Sequence, residues 1–402
     1  MERADHGGSK RMKRMDEEIR RHLETVILPF WKGLLDEKNG GYAGYVGYDL
    51  TVDWKAAKGC ILNSRILWFF SQAVITLKEP ALLPYARHAY DMLCRMTDEK
   101  NGGVFWSVHA DGTVCDGTKH TYNQAFAVYA LSAYAQASGC RGALEKAEAL
   151  FELMETRCTD EQGYLEAFTA DWKPAGNEKL SENGVMAEKT MNTLLHVLEA
   201  YTELYRVCGS TRVRDRLYFI LDMLEKKIYH PQKRRQEVFF DRAYRTLIDL
   251  HSYGHDIETS WLADRTLEVL GDEALTARIR PILLAMVEEV YEKAFTGHGV
   301  ANECERGRVD TTRVWWVQAE ALVGFLNAYQ KTGDPKFGDA ARSQWRYIRD
   351  VIADRRSGSE WYWCVREDGT PFEKPIVEPW KCPYHNGRMA FEVIERSQYA
   401  QL

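Results

Sequence analysis

Three histidines embedded in aromatic, apolar stretches are the side chains in this sequence best suited to move protons near neutral pH: His196 in TMNTLLHVLEAY, His255 in HSYGHDIETSW and His385 in WKCPYHNGRM. Other polar residues are set among apolar ones in the same way. They are Arg65 in NSRILWFF, Tyr122 and Asn123 in KHTYNQAF, Asn192 upstream of His196, and Glu320 behind Trp316 in RVWWVQAEAL. A single histidine on an apolar helix is ordinarily a hydrogen-bonded core residue. Three of them, each beside further polar exceptions, point instead to a shared site. Asn192 and His196 stand at i, i+4 and His255 and Glu258 at i, i+3, so each pair shares a face if its segment is helical. A carboxylate one turn from an imidazole orients it or raises its pKa, which predicts Glu258 as the partner of His255 and a pKa near neutrality, suited to general acid–base work. Trp261, Trp316 and Trp380 lie in the same strings, where an indole face can stack on the apolar face of a sugar.

Other chemistries have weaker support. His251, His255 and Glu258 have a spacing a metal could use, but Gly254 and the Ser-Tyr before it break a helix at His251. With no H-E-x-x-H string and no nearby cysteine, no metal is expected. No glycine-rich phosphate motif of the G-x-G-x-x-G or G-x-x-x-x-G-K-[ST] kind occurs, so no nucleotide cofactor is expected.

The elements that must position these residues are helices in a repeat. Asp36-Glu-Lys-Asn-Gly-Gly-Tyr recurs as Asp98-Glu-Lys-Asn-Gly-Gly-Val and more faintly as Asp160-Glu-Gln-Gly-Tyr, at equal offsets of 62 (98 − 36 and 160 − 98). Further turns near Pro231, Gly297 and Ser357 bring the total to about six units. Between turns, apolar residues recur at i, i+3, i+4 and i+7, giving about twelve helices from Asp16–Lys32 to Asn386–Arg396. One helix of each pair is richer in aromatic and small apolar residues, as an inner ring buried on all sides would be. This predicts an all-α fold, a closed (α/α)6 barrel of helical hairpins with short β-hairpin loops at one end. The N-terminal turns of the inner helices would open at one end, where the polar residues gather. Residues 1–15 are expected as a flexible basic arm, and 16–402 as a single catalytic domain.

A net charge of −6 argues against a nucleic-acid surface. Nine scattered cysteines without C-x-x-C spacing suggest a reducing compartment. The polar N-terminal segment carries no apolar signal core and no run approaches a membrane span, so a cytoplasmic protein without membrane association is expected.

The same segments, NSRILWFFS, KHTYNQAFAVYALS, LSENG, KTMN, HSYGHDIETSW, TRVWWVQAEA and EPWKCPYHNGRM, resemble the cellobiose 2-epimerases of the N-acylglucosamine 2-epimerase superfamily, from about Glu17 to Arg396. The resemblance implies an (α/α)6 barrel and cofactor-free inversion of C2 in the reducing-end glucose of a β-1,4-linked disaccharide such as cellobiose or lactose. It implies His255 and His385 as the acid/base pair, with Arg65, His196 and Glu258 in support. Tyr122, Asn123, Asn192, Trp261, Trp316, Glu320 and Trp380 are the expected substrate-binding residues, and loops around Tyr42, Tyr45 and Trp106 would cover a second sugar ring. A monomer or weak dimer is expected. The chemistry is consistent: inverting C2 of an aldose removes a weakly acidic C–H beside a carbonyl and returns a proton to the opposite face, while donors such as Arg65 stabilise the enediolate. Two other enzymes remain open at this point, an aldose–ketose isomerase on the same scaffold and a glycoside hydrolase using Glu258 and Glu320 as its carboxylate pair. A non-catalytic binding barrel is a third alternative.

Overall fold

The computed structural model describes residues 5–399. Its helices, in chain order, begin with α1 (Asp5–His22), α2 (Leu28–Lys32), α3 (Cys60–Leu77), α4 (Leu83–Arg95), α5 (Thr121–Ser138), α6 (Arg141–Arg157) and α7 (Met191–Cys208). They continue with α8 (Thr211–Met223), α9 (Tyr253–Leu270), α10 (Glu273–Lys293), α11 (Trp315–Thr332), α12 (Pro335–Tyr347) and α13 (His385–Tyr399). A π turn at Leu23–Ile27 joins α1 and α2 into one rod.

Burial separates the helices into two rings. Every residue of α5 from Thr121 to Ala135 is buried, whereas α4 buries only Ala86, Ala89, Met92 and Leu93 along one stripe. Helices α3, α5, α7, α9, α11 and α13 pack each on the next, and α13 returns to α3, closing the inner ring. Each of α4, α6, α8 and α10 lies outside the groove between two inner helices; α12 backs α11, and α1 packs on α13 and α12. This is the (α/α)6 barrel expected from the repeat. The apolar helix α3, long enough to cross a membrane by composition alone, is an inner helix of this ring. Helix α1 begins at Asp5 rather than Asp16. Residues 5–15, expected as a flexible arm, therefore extend the helix that buried Met15 and Ile19 anchor, while the first four residues of that arm lie outside the described part.

Short β ladders ring one end of the barrel. The lead-in to each of α3, α5, α7, α9 and α11 pairs antiparallel with a segment of a later loop: Lys58 with Val108, Lys119 with Phe168, Thr190 with Phe239, Leu250 with Glu305 and Arg313 with Val365. The three repeated aspartates explain how these lead-ins are fixed. Asp36, Asp98 and Asp160 each hold a buried lysine two positions before the start of an inner helix, with Lys58, Lys119 and Lys189 Nζ all 2.7 Å away. The repeat thus pins the N-terminal turns of three inner helices at one height.

Candidate active site

A cavity of about 510 Å³ opens at that end of the barrel, within the range usual for ligand pockets. Its floor comes from the first two turns of the inner helices: Arg65 of α3, Tyr122 of α5, Asn192 and His196 of α7, His255 and Glu258 of α9, Trp316 of α11 and His385 of α13. Trp380, in the loop before α13, forms part of the wall. Six helix N-termini pointing at one space supply a positive potential there, which favours an anionic intermediate and disfavours protonated imidazole.

His255 and His385 pack against the same indole, with ring centroids 4.7 Å and 5.5 Å from that of Trp316. Room for this comes from Gly254, where a Cβ would stand 2.5 Å from the Trp316 ring. Nδ1 of His255 bonds to the Ser252 hydroxyl at 2.7 Å, and Nδ1 of His385 to Oε1 of Glu320 at 2.7 Å. Glu320 also accepts from Trp261 Nε1 at 2.9 Å and Arg388 Nη2 at 2.8 Å. A carboxylate so placed accepts a hydrogen bond from Nδ1–H of His385, which leaves Nε2 as the basic nitrogen. Burial pushes His255 down to about 3 and, with Arg388 and Arg65 nearby, holds His385 well below the ordinary imidazole range. Both are therefore neutral at pH 7. Burial thus works against the expected pKa near neutrality: desolvation comes first for both rings, with His196 beside His255 and Arg388 and Arg65 beside His385 adding to it.

The expected pairing of Glu258 with His255 is also corrected. Glu258 Oε1 accepts from Arg388 Nη2 and lies 3.9 Å from His385 Nδ1, while Oε2 has no protein partner among the described residues. His255 sits in the first turn of α9, where its ring reaches back to Ser252 rather than along the helix to Glu258. Burial, reinforced by Glu320, lifts the Glu258 carboxyl to about 7. The His-x-x-Glu pair that does form is His196 with Glu199, Nδ1 to Oε2 at 2.9 Å. Burial alone would raise Glu199, but Arg388, His196 and Tyr384 hold it at about 2.

Arg65 donates to the Tyr122 hydroxyl at 3.0 Å and the Trp380 carbonyl at 3.2 Å, and its guanidinium lies between the rings of Phe126 and Tyr384, 4.3 Å and 4.5 Å from their centroids. Three expected binding residues fall outside the cavity lining. Asn123 closes the capping box of α5 and donates to the Phe105 carbonyl; Trp261 is fully buried; Glu320 stands behind His385. Tyr42 is buried with its hydroxyl on the Tyr85 carbonyl, and Trp106, outside the cavity lining, packs on two residues that line it, Trp380 at 6.0 Å between centroids and Lys179, whose Nζ lies 5.0 Å from its ring.

Glu199, Tyr384 and Arg388 were not singled out in the sequence. Arg388 carries a readable signal, a cation inside the apolar run RMAFEVI, and it occupies the middle of the carboxylate cluster. Donor atoms of Glu258, Glu320 and His385 lie within 4.8 Å of one another, close enough to hold a cation, but the Arg388 guanidinium already bonds both carboxylates. His251 turns away to Asp256, 2.8 Å from Nε2 to Oδ2, and does not join His255 as a ligand pair.

The N-acylglucosamine 2-epimerase (GlcNAc 2-epimerase) family profile matches residues 40–387. The chain is 50% identical over 384 residues to the cellobiose 2-epimerase of Ruminococcus albus, covering 95% of this chain and 99% of that one. It is 48% identical over 397 residues to the cellobiose 2-epimerase of Eubacterium cellulosolvens, covering 94% and 98%. Among solved structures, a sugar epimerase from a ruminal bacterium superposes with a TM-score of 0.94 at 49% identity, over 95% of this chain and 99% of that one.

Proposed function

The chain belongs to the N-acylglucosamine 2-epimerase family, and we propose that it is a sugar epimerase that reversibly inverts C2 of the reducing-end glucose in β-1,4-linked disaccharides. Cellobiose would become glucosyl-mannose, and lactose epilactose. The observation that carries the proton-transfer mechanism is the pair of imidazoles, His255 and His385, both against Trp316 and each fixed through Nδ1 with Nε2 unpartnered among the described residues.

In the open-chain aldose, Nε2 of one histidine takes the C2 proton and leaves an enediolate across C1 and C2. Arg65 and the converging helix N-termini stabilise its charge, each good donor contributing about 10²–10³ in rate. The other histidine supplies a proton to the opposite face of C2, having gained it from the C1 hydroxyl during ring opening, when the C1–O5 bond breaks and the ring oxygen takes a proton from His196 or water. His196, which lines the same cavity, assists at C1 or the ring oxygen. Every step is a proton transfer among substrate, side chains and water, so the reading assigns no cofactor. Trp363, Phe372 and Lys374 also line the cavity and would meet the second sugar.

The hydrolase alternative loses its geometry. Two glycosidase carboxyls flank a bond at about 5–9.5 Å, whereas Glu258 and Glu320 share one guanidinium and only Glu258 lines the cavity. A cytoplasmic location accords with nine free cysteines among the described residues, and a monomer or weak dimer remains the proposed assembly.

The experiment is turnover of cellobiose in D2O followed by NMR. The reading requires a mannose-type reducing end carrying deuterium at C2. A ketose product would instead support the isomerase, and a C2 that keeps its original hydrogen would rule out proton exchange with solvent.

A further inference from the structure

Arg388 meets nothing in the cavity, yet it touches the partner of each of two site imidazoles. It is 2% exposed and sits one turn after His385 on α13. Nη1 donates to Glu199 of α7 and to the Tyr384 hydroxyl; Nη2 donates to Glu258 of α9 and to Glu320 of α11, the last at 2.8 Å. Its plane lies over Tyr384, 4.1 Å from that ring centroid, with Trp261 at 4.8 Å. Three carboxylates from three inner helices thus converge on one guanidinium from a fourth. Two of the three hold an imidazole through Nδ1, Glu199 that of His196 and Glu320 that of His385.

We infer that Arg388 is a positioning residue for the proposed epimerisation: as common counter-ion to Glu199 and Glu320 it keeps both ionised, and so keeps the Nδ1 proton on His196 and His385 and frees Nε2 of each for the substrate. Three carboxylates gathered in a buried space cannot all stay ionised without a cation, because like charges at this range raise one another's pKa and burial adds to the effect. A Glu320 that gained a proton would become a donor toward Nδ1, and His385 would take the opposite tautomer with Nε2–H facing the cavity. It could then no longer accept a proton there. Arginine suits the task better than lysine, since its planar fork reaches carboxylates on both nitrogens at once.

The inference rests on the proton-transfer reading above, so the test pairs a kinetic arm with one that needs no turnover. The variants are Arg388→Met and Arg388→Lys, the second keeping the charge should the first not fold. With cellobiose as substrate, R388M is expected to lower kcat by at least about 100-fold with KM within about threefold of wild type, because Arg388 touches no substrate, and R388K should recover about tenfold of that loss. Nitrogen-15 histidine spectra of the resting protein should show His196 and His385 of wild type as single Nδ1–H tautomers and those of R388M as mixtures, with R388K between. Unchanged tautomers in both variants overturn the inference, whatever the rates do. So does a kcat within threefold of wild type in R388M, or in R388K should only that variant fold, and so does a loss confined to KM. A wild type that does not turn over cellobiose would defeat the epimerase reading, while the spectra would still decide whether Arg388 sets the tautomers.

Discussion

Nδ1 of His385 lies 2.7 Å from Oε1 of Glu320, a contact between residues 65 apart in sequence that leaves only Nε2 of the imidazole for the cavity. Glu320 does not line the cavity, so its effect on turnover passes through the histidine. Glu320→Gln keeps the shape but replaces a charged acceptor with an amide whose NH2 can turn toward Nδ1. We expect kcat on cellobiose to fall by about 100-fold, the lower end of an acid–base contribution, with KM little changed. A kcat within threefold of wild type would show that the carboxylate does not orient His385.

Acid should weaken the fold through its buried neutral histidines. Burial lowers His22 and His120 to about 4 and His255 to about 3. In the unfolded chain each takes a proton near its ordinary value of about 6.5. Above that value the group is neutral in both states and contributes no pH dependence. As pH falls from 6.5 toward 4, only the unfolded state gains the proton, so stability is lost across that window. Glu166 and Glu258, raised to about 7 by burial, act in the opposite sense, so the wild-type curve alone does not isolate the histidines. The difference between wild type and a variant does. His22 accepts from Trp361 Nε1 at 2.8 Å, a bond that the amide oxygen of His22→Gln can replace. Urea unfolding at pH 7 and pH 5 should show H22Q losing about 2 kcal/mol less than wild type between the two, at about 1.4 kcal/mol per pH unit. Parallel curves would mean that His22 is not held neutral by the fold.

Helix ends offer a test of stability alone. Inner helices α5, α7, α9 and α11 are each capped by a glycine in the left-handed region, at Gly139, Gly209, Gly271 and Gly333, whereas α3 ends on Lys78 at φ 56° and ψ 39°. Lys78 is exposed, so its side chain has little packing to lose. A Cβ in this conformation costs about 1–2 kcal/mol, part of which returns as the greater freedom of glycine in the unfolded chain. Lys78→Gly should therefore stabilise the protein by about 0.5–1 kcal/mol without altering turnover. Destabilisation on urea unfolding would show that Lys78 makes an interaction outweighing its backbone strain.

How far the sequence reveals the site depends on the range of the interaction. The equal spacing of Asp36, Asp98 and Asp160 is a local pattern and points to the barrel, because each carboxylate does the same work on Lys58, Lys119 or Lys189. His196, His255, His385 and Arg65 are legible as polar exceptions in apolar helices. Which carboxylate serves which imidazole is not legible, since His196-x-x-Glu199 and His255-x-x-Glu258 have the same spacing and only the first forms a pair. Arg388 bonds Glu199 and Glu258 alike, so the difference lies in His255, whose ring in the first turn of α9 reaches back to Ser252, and no spacing rule foretells that turn. Asn123 and Trp261 look like binding residues for the same reason: a polar or aromatic group near a helix start reads alike whether it faces the cavity or seals the wall behind it.

Selectivity for substrate length turns on Trp380, which lines the cavity and packs edge-on against Trp106 and Tyr122, each 6.0 Å between ring centroids. Its contact with Arg65 runs through the backbone carbonyl, so Trp380→Ala removes the indole while leaving that hydrogen-bond acceptor in place. An indole stacked on a sugar beyond the reacting residue supplies binding energy that can be used to hold C2 between His255 and His385. Wild type should therefore show kcat/KM for cellobiose and lactose at least about tenfold above that for glucose, since one contact of about 1.4 kcal/mol gives that factor. W380A should lose most of this preference while retaining its rate on glucose. Truncation of a residue that only packs under the loop bearing His385 would disturb the histidine and reduce both reactions equally. Measuring kcat/KM on both sugars for the variant separates the two: equal losses exclude stacking by Trp380, and a wild type that favours glucose, mannose or N-acetylglucosamine over the disaccharides excludes the disaccharide assignment.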